Sequence, residues 1–150
     1  MRHFPDTSFF CALYRSQTNS GDADRYMAQV SGPIQTSSLV LLEFRQSIRL
    51  QIRLHALDKT KGFSQREGEK MLQDIQADLA SGLIETVRVD WPDVHHWAEN
   101  LSNKHTIASG QRLTDILHVA TAMHLAVPEF LTFDTNQKLL ARAEGLTVPF

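Results

Sequence analysis

Four acidic residues occupy settings where a simple solvated charge is a poor explanation, and together they could hold a divalent cation. Glu43 lies in Leu39-Val40-Leu41-Leu42-Glu43-Phe44, with Leu39 and Val40 at i−4 and i−3 and Ser47, Leu50 and Leu54 further along the same helical face. That face offers no cation at i±3 or i±4, and a buried lone carboxylate costs several kcal/mol unless it is paired or coordinates a metal. Asp115 has a similar setting, with His118, Val119 and Ala122 on its face and small residues around it. Asp6 and Asp134 each follow an apolar segment directly. Each also has a plainer explanation. An aspartate at a strand-to-helix junction often caps the helix, and Asp115 could be a helix-start carboxylate or a partner for His118. Four converging carboxylates would suit magnesium, which takes hard oxygen ligands and keeps several waters. Such a site acidifies a water and neutralises charge on a phosphodiester as it is displaced. It needs no serine or cysteine triad, and none is evident.

The elements that must position these acids can be traced along the chain. A first strand ends near Phe4, and a helix is expected over Ser8–Arg15, followed by a second over Asp22–Val30. Ile34–Thr36 can form a brief strand. Ser37 or Ser38 could cap a long helix over Leu39–Leu57, and Ser64 with Glu67 forms a capping box for a helix to Leu79, closed by Gly82. Leu83–Val89 alternates and reads as a strand. Trp91–Lys104 reads as a helix with Pro92 in its first turn, and Leu113–Leu125 as another. Phe130–Phe133 is a short buried strand, Gln137–Ala143 a helix ended by Gly145, and Leu146–Val148 a last strand. Strands alternating with helices imply a parallel sheet between helix layers. In such sheets ligands gather beyond the carboxyl ends of the strands, so Asp6 and Asp134 are expected on one edge.

With 150 residues and no linker or repeat, one domain spanning 1–150 is expected, and 42% hydrophobic content is enough for a core without a disulfide or metal staple. The one cysteine, Cys11, lies in an apolar run and reads as a structural thiol of a reducing compartment. No segment is long and apolar enough to cross a bilayer, and the start does not resemble a signal peptide, so a cytoplasmic protein is expected. A net charge of −2 argues against a broad basic nucleic-acid surface but leaves a nuclease open, because clustered carboxylates lower net charge.

Arg45, Arg49 and Arg53 recur at i, i+4 and i+8 as a basic stripe. It is either a solvated face or a contact for RNA phosphates or an acidic partner segment. Arg112 is a further candidate for phosphate contact or for pairing with a site carboxylate. His95 and His96 point apart, and His118 and His124 share no face, which disfavours structural zinc. Trp91 and Trp97 read as core or interface rather than base-stacking platforms, since no basic residue interleaves them.

Pro5-Asp6-Thr7-Ser8-Phe9-Phe10, Leu42-Glu43-Phe44, Arg112-Leu113-Thr114-Asp115-Ile116-Leu117-His118-Val119-Ala120-Thr121-Ala122 and Phe130-Leu131-Thr132-Phe133-Asp134 resemble, in order and spacing, the four motifs of PIN domains. The resemblance implies a three-layer α/β/α sandwich with a short, mainly parallel sheet, and a Mg²⁺-dependent endoribonuclease, with Mn²⁺ able to substitute. Small members are often VapC-like toxins, which implies an RNA substrate, a cognate antitoxin and a homodimer. Carried over, Asp6, Glu43, Asp115 and Asp134 form the acidic tetrad, with Asp6 and Asp115 as principal metal ligands. Thr7 or Ser8 would offer a hydroxyl or backbone N–H near the metal or a phosphate. Two departures stand out: Pro5 precedes the first acid, and Asn136 occupies the region where many relatives carry a further acid. A haloacid-dehalogenase-like phosphatase is disfavoured because Ser8 stands where that chemistry wants an aspartate. A dinucleotide fold lacks its Gly-rich turn. A non-catalytic PIN-like module that binds RNA or protein is the remaining alternative.

Overall fold

Strand β1 (His3–Pro5) pairs in parallel with β4 (Glu129–Leu131), so segments far apart in the chain lie side by side. The structure is a computed structural model and describes residues 2–150. Between those strands run α1 (Thr7–Tyr14), α2 (Ser20–Gln29), β2 (Ile34–Thr36), α3 (Ser38–Leu57), α4 (Gln65–Ser81), β3 (Ile84–Thr86), α5 (Trp91–Ser109) and α6 (Leu113–His124), and α7 (Thr135–Ala143) follows β4. β2 pairs in parallel with β3, and β1 lies beside β2, giving the lateral order β3-β2-β1-β4. Within each pair the two strands point the same way. Helices α1 to α4 pack on one another, as do α5 to α7, and the sheet is sandwiched between helices.

Pro5 has a definite place in this arrangement. The neighbouring Asp6 N–H donates to the Leu131 carbonyl at 3.0 Å, on the β4 side. Backbone donors alternate sides along a strand, so position 5 faces β2, where proline supplies none. β1 and β2 accordingly lie side by side without forming one continuous ladder.

Phe4, Phe10, Phe44 and Phe130 are fully or almost fully buried in the main core, and Phe9 anchors a smaller cluster with Leu131. Each such side chain contributes about 2–3 kcal/mol of burial. The helix boundaries have local causes. Ser37 caps α3 by accepting from Val40 N–H, and Ser64 and Glu67 form the full capping box at α4. Gly82 ends α4 in the left-handed region at φ 79°. The connection between α3 and α4 is tight: Gly62 has φ 58°, and a Cβ there would stand 2.1 Å from the Gln51 carbonyl oxygen.

Several expectations need correcting. α5 runs to Ser109 rather than Lys104, because no stop signal intervenes before Gly110, which takes the left-handed cap. β3 spans only Ile84–Thr86 of the alternating Leu83–Val89, since its partner β2 offers three residues. β4 is Glu129–Leu131 rather than Phe130–Phe133, and Leu146–Val148 contributes only a bridge between Thr147 and Glu129. α2 begins at Ser20 and α7 at Thr135, each two residues before its expected start.

Candidate active site

Asp6 follows β1 and caps α1. One carboxylate oxygen accepts from Phe9 N–H at 2.9 Å and from the Ser8 hydroxyl at 2.7 Å. The other accepts from the Thr132 hydroxyl at 2.6 Å and from Gln137 Nε2 at 2.8 Å. The residue is fully buried, and burial outweighs these donors, so its pKa is pushed up to about 6. Gln137 leaves its own amide oxygen buried without a partner among the described residues.

Asp134, three residues beyond β4, does two things at once. It caps α7 by accepting from Gln137 N–H at 2.9 Å, and its own N–H donates to Thr132 Oγ1 at 3.0 Å. Since Thr132 in turn donates to Asp6, one hydroxyl links the first acid to the fourth. Ser8 strengthens the same junction by accepting from Phe133 N–H at 2.9 Å.

Glu43 lies in the second turn of α3, about one third exposed at its side chain. Its Oε2 meets His118 Nε2 from α6 and accepts from the Thr7 hydroxyl. Burial works to raise its pKa, but the hydrogen bonds from His118 and Thr7 and the charges of His118 and Arg112 outweigh it and hold the carboxyl below its ordinary value. Glu43 therefore has a partner after all, supplied by another helix. His118 is fully buried, and its Nδ1 has no partner among the described residues.

That pairing removes His118 as a partner for Asp115. Asp115, buried in the first turn of α6, accepts instead from Arg112 Nε at 3.0 Å. Burial raises its pKa, Arg112 opposes the shift, and the nearby charges of Asp134 and Glu43 add to it. The same guanidinium lies 3.7 Å from Asp134 through Nη2. Three of the acids are thus linked, Asp6 through Thr132 to Asp134 and Asp134 through Arg112 to Asp115, while Glu43 is paired separately with His118, one turn beyond Asp115 on α6.

Sequence reasoning missed Thr132 and Gln137, and it set His118 beside Asp115 rather than Glu43. For Thr132 and His118 the available signal was a polar side chain within an otherwise apolar segment; Gln137, in the polar run Thr135-Asn136-Gln137-Lys138, carried none. Arg45 approaches Gln76 at 3.4 Å, Arg49 and Arg53 are exposed on α3, and none of the three is bonded to the acids. Asn136 is exposed on α7. Cys11 is partly buried beside Ser47, and burial raises its thiol pKa, which suits an inert packing role.

Among the described residues, no three or more His, Cys, Asp or Glu side chains stand in metal-ligating geometry. The donor set still suits a hard divalent cation, because a cationic group already stands against two of its carboxylates: the Arg112 guanidinium between Asp115 and Asp134. Magnesium needs only one or two carboxylates and completes its shell with water and phosphate.

The family model of the PIN domain matches residues 3–143. Among solved structures, Mycobacterium tuberculosis VapC20, described as a sarcin-ricin loop cleaving toxin, is 21% identical with a TM-score of 0.64, covering 97% of this chain and 96% of its own. VapBC2 from Rickettsia felis, bound to a DNA fragment from its promoter, is 14% identical with a TM-score of 0.64, covering 99% and 97%. VapBC-1 from nontypeable Haemophilus influenzae is 12% identical with a TM-score of 0.64, covering 99% and 96%. At these identities the likeness establishes the fold. No curated protein sequence matches the chain.

Proposed function

The chain belongs to the PIN domain family, and on that premise we propose that it is a divalent-metal-dependent endoribonuclease, the toxin of a toxin–antitoxin pair. The observation that carries this reading is the linkage of Asp6, Asp134 and Asp115 beyond the carboxyl ends of β1 and β4, with Glu43 held by His118 from the same helix as Asp115. Such an edge is where open α/β sheets bind their ligands. A binding module has no need of this set of acids.

Asp115 and Asp134 would hold Mg²⁺ or Mn²⁺ most directly, because both already engage a cationic group. Asp6 would join them by exchanging one of its hydroxyl donors. When bound, such a cation supplies charge neutralisation at the phosphodiester and acidifies a water. Glu43, fixed in one orientation by His118 and Thr7, would position the attacking water. Ser8 and Thr132 keep the Asp6 carboxylate in place. Arg45, Arg49 and Arg53 would meet RNA phosphates or an acidic antitoxin segment along α3. The VapBC neighbours support an antitoxin partner, and we extend the family reading to a homodimer acting in the cytoplasm. No helix among the described residues is long and apolar enough to cross a membrane.

One observation favours the second reading, a PIN-like module that binds RNA or protein without cutting: both Asp6 oxygens are filled by protein donors. The test is to incubate the protein with structured RNA, with and without Mg²⁺ or Mn²⁺, beside Asp6→Asn and Asp115→Asn. Metal-dependent cleavage lost in both variants supports the nuclease. Cleavage that persists in chelator, or in the variants, overturns the mechanism, and tight RNA binding without cleavage selects the second reading.

A further inference from the structure

Arg112 precedes α6 at its N-cap position and makes no side-chain cap. A cation at a helix N-terminus is also unfavourable toward the helix dipole. Its contribution to the helix does not explain its position, but its two contacts do. Nε lies 3.0 Å from Asp115 in the first turn of α6, and Nη2 lies 3.7 Å from Asp134 at the N-terminus of α7. Two helix starts, each carrying an acid, converge on one guanidinium. Its side chain is 69% exposed, while Asp115 is 3% exposed and Asp134 29%. The cation can therefore leave toward solvent, whereas the acids are fixed in the protein. An ion pair with so exposed a partner is weakly held. The arginine also leaves negative charge over, since Asp115, Asp134 and Glu43 all lie close enough to act on this one guanidinium.

Resting on the metal-site reading above, we propose that Arg112 is a built-in counter-cation that occupies the Asp115–Asp134 pair and is exchanged for the divalent ion. The guanidinium holds the two acids together before the metal arrives. It also competes with the metal, so the residue sets the threshold of divalent ion at which the site fills. A +1 charge confronting a dication at about 5 Å in a water-like dielectric opposes binding by roughly a factor of ten. Arg112 is thus a positioning residue that acts through Asp115 and Asp134, and its signature is a sign: removing it strengthens metal binding while removing either acid weakens it.

The experiment measures Mn²⁺ binding to the full chain by electron paramagnetic resonance, with no RNA present. Arg112→Ala is expected to bind Mn²⁺ about tenfold more tightly than the parent. Arg112→Lys keeps the charge but lacks a planar fork to span both acids, so it should fall between the two. Asp115→Asn should bind more weakly than the parent. If Arg112→Ala binds as the parent does, or more weakly, while Asp115→Asn loses affinity, the counter-cation role is overturned and the metal site stands. If neither the parent nor Arg112→Ala binds Mn²⁺ at millimolar concentration, the metal site itself is overturned, and this proposal with it.

Discussion

His118 Nε2 on α6 meets Glu43 Oε2 on α3, a contact across 75 positions of sequence that fixes an acid of the site with a fully buried imidazole. Truncating the imidazole would leave a cavity and release Glu43. His118→Ala is therefore expected to cost about 2–4 kcal/mol in urea unfolding, with part of the Glu43 loss recovered because that side chain reaches solvent. Glu43→Gln keeps hydrogen-bonding capacity and should cost under about 1 kcal/mol. If the losses of His118→Ala and Glu43→Gln simply add in the double variant, the contact is incidental.

The raised pKa of Asp6 predicts a pH dependence of definite sign. Its folded value of about 6 lies above the ordinary 3.8, so the folded state holds a proton that the unfolded state has released. Stability from this group is fully present below about 3.8 and is lost as pH rises through about 6, by up to about 3 kcal/mol. Asp6→Asn removes that component. Measured in chelator, the stability of the parent minus that of Asp6→Asn should fall between pH ~4 and ~7, and a difference that is flat or rises would refute the assigned shift. Gln137, with its amide oxygen unpartnered, can turn over to accept from the new amide, so the variant should fold.

Asp134 both caps α7 and faces Arg112, and substitutions can separate the roles. Asp134→Asn keeps a capping oxygen and removes the charge. It should stay within about 0.5 kcal/mol of the parent in stability while losing RNA cleavage. Asp134→Ala should lose cleavage and about 1 kcal/mol as well. Full activity in Asp134→Asn would reduce the residue to a cap.

Gly62 and Gly82 both have positive φ, yet only Gly62 is hemmed in by backbone. Gly82→Ala meets nothing within 4 Å and should cost about 1 kcal/mol for its conformation alone. Gly62→Ala must also displace the Gln51 carbonyl, so a loss of about 2–3 kcal/mol is expected in thermal or urea unfolding. Similar losses at the two positions would show that the α3–α4 connection yields easily.

Local signals were the legible part of this fold. The Ser64–Glu67 capping box, Gly82 and Pro92 all act as their types and spacing suggest. The strands were less legible, because a strand's length is set by its partner. β3 and β4 are each trimmed to the three residues that β2 and β1 offer. At the candidate site, the acids could be picked out from their motifs and apolar surroundings. Their partners could not, since helical spacing reveals neighbours three or four residues away and says nothing about a residue on another helix. Glu43 looked unpaired for that reason, and His118 seemed available to Asp115 for the same one.

The floor of the site joins Asp6 to Thr132 and Gln137, which lie 126 and 131 positions further on. A nascent chain can lay down β1 and most of its helices while the ribosome still holds the segment that completes this junction. Pairing of such distant segments is slow and comes late in folding. Until residue 137 has cleared the exit tunnel, the bonds that Thr132 and Gln137 make to Asp6 cannot form, so this floor is among the last parts of the molecule to be completed.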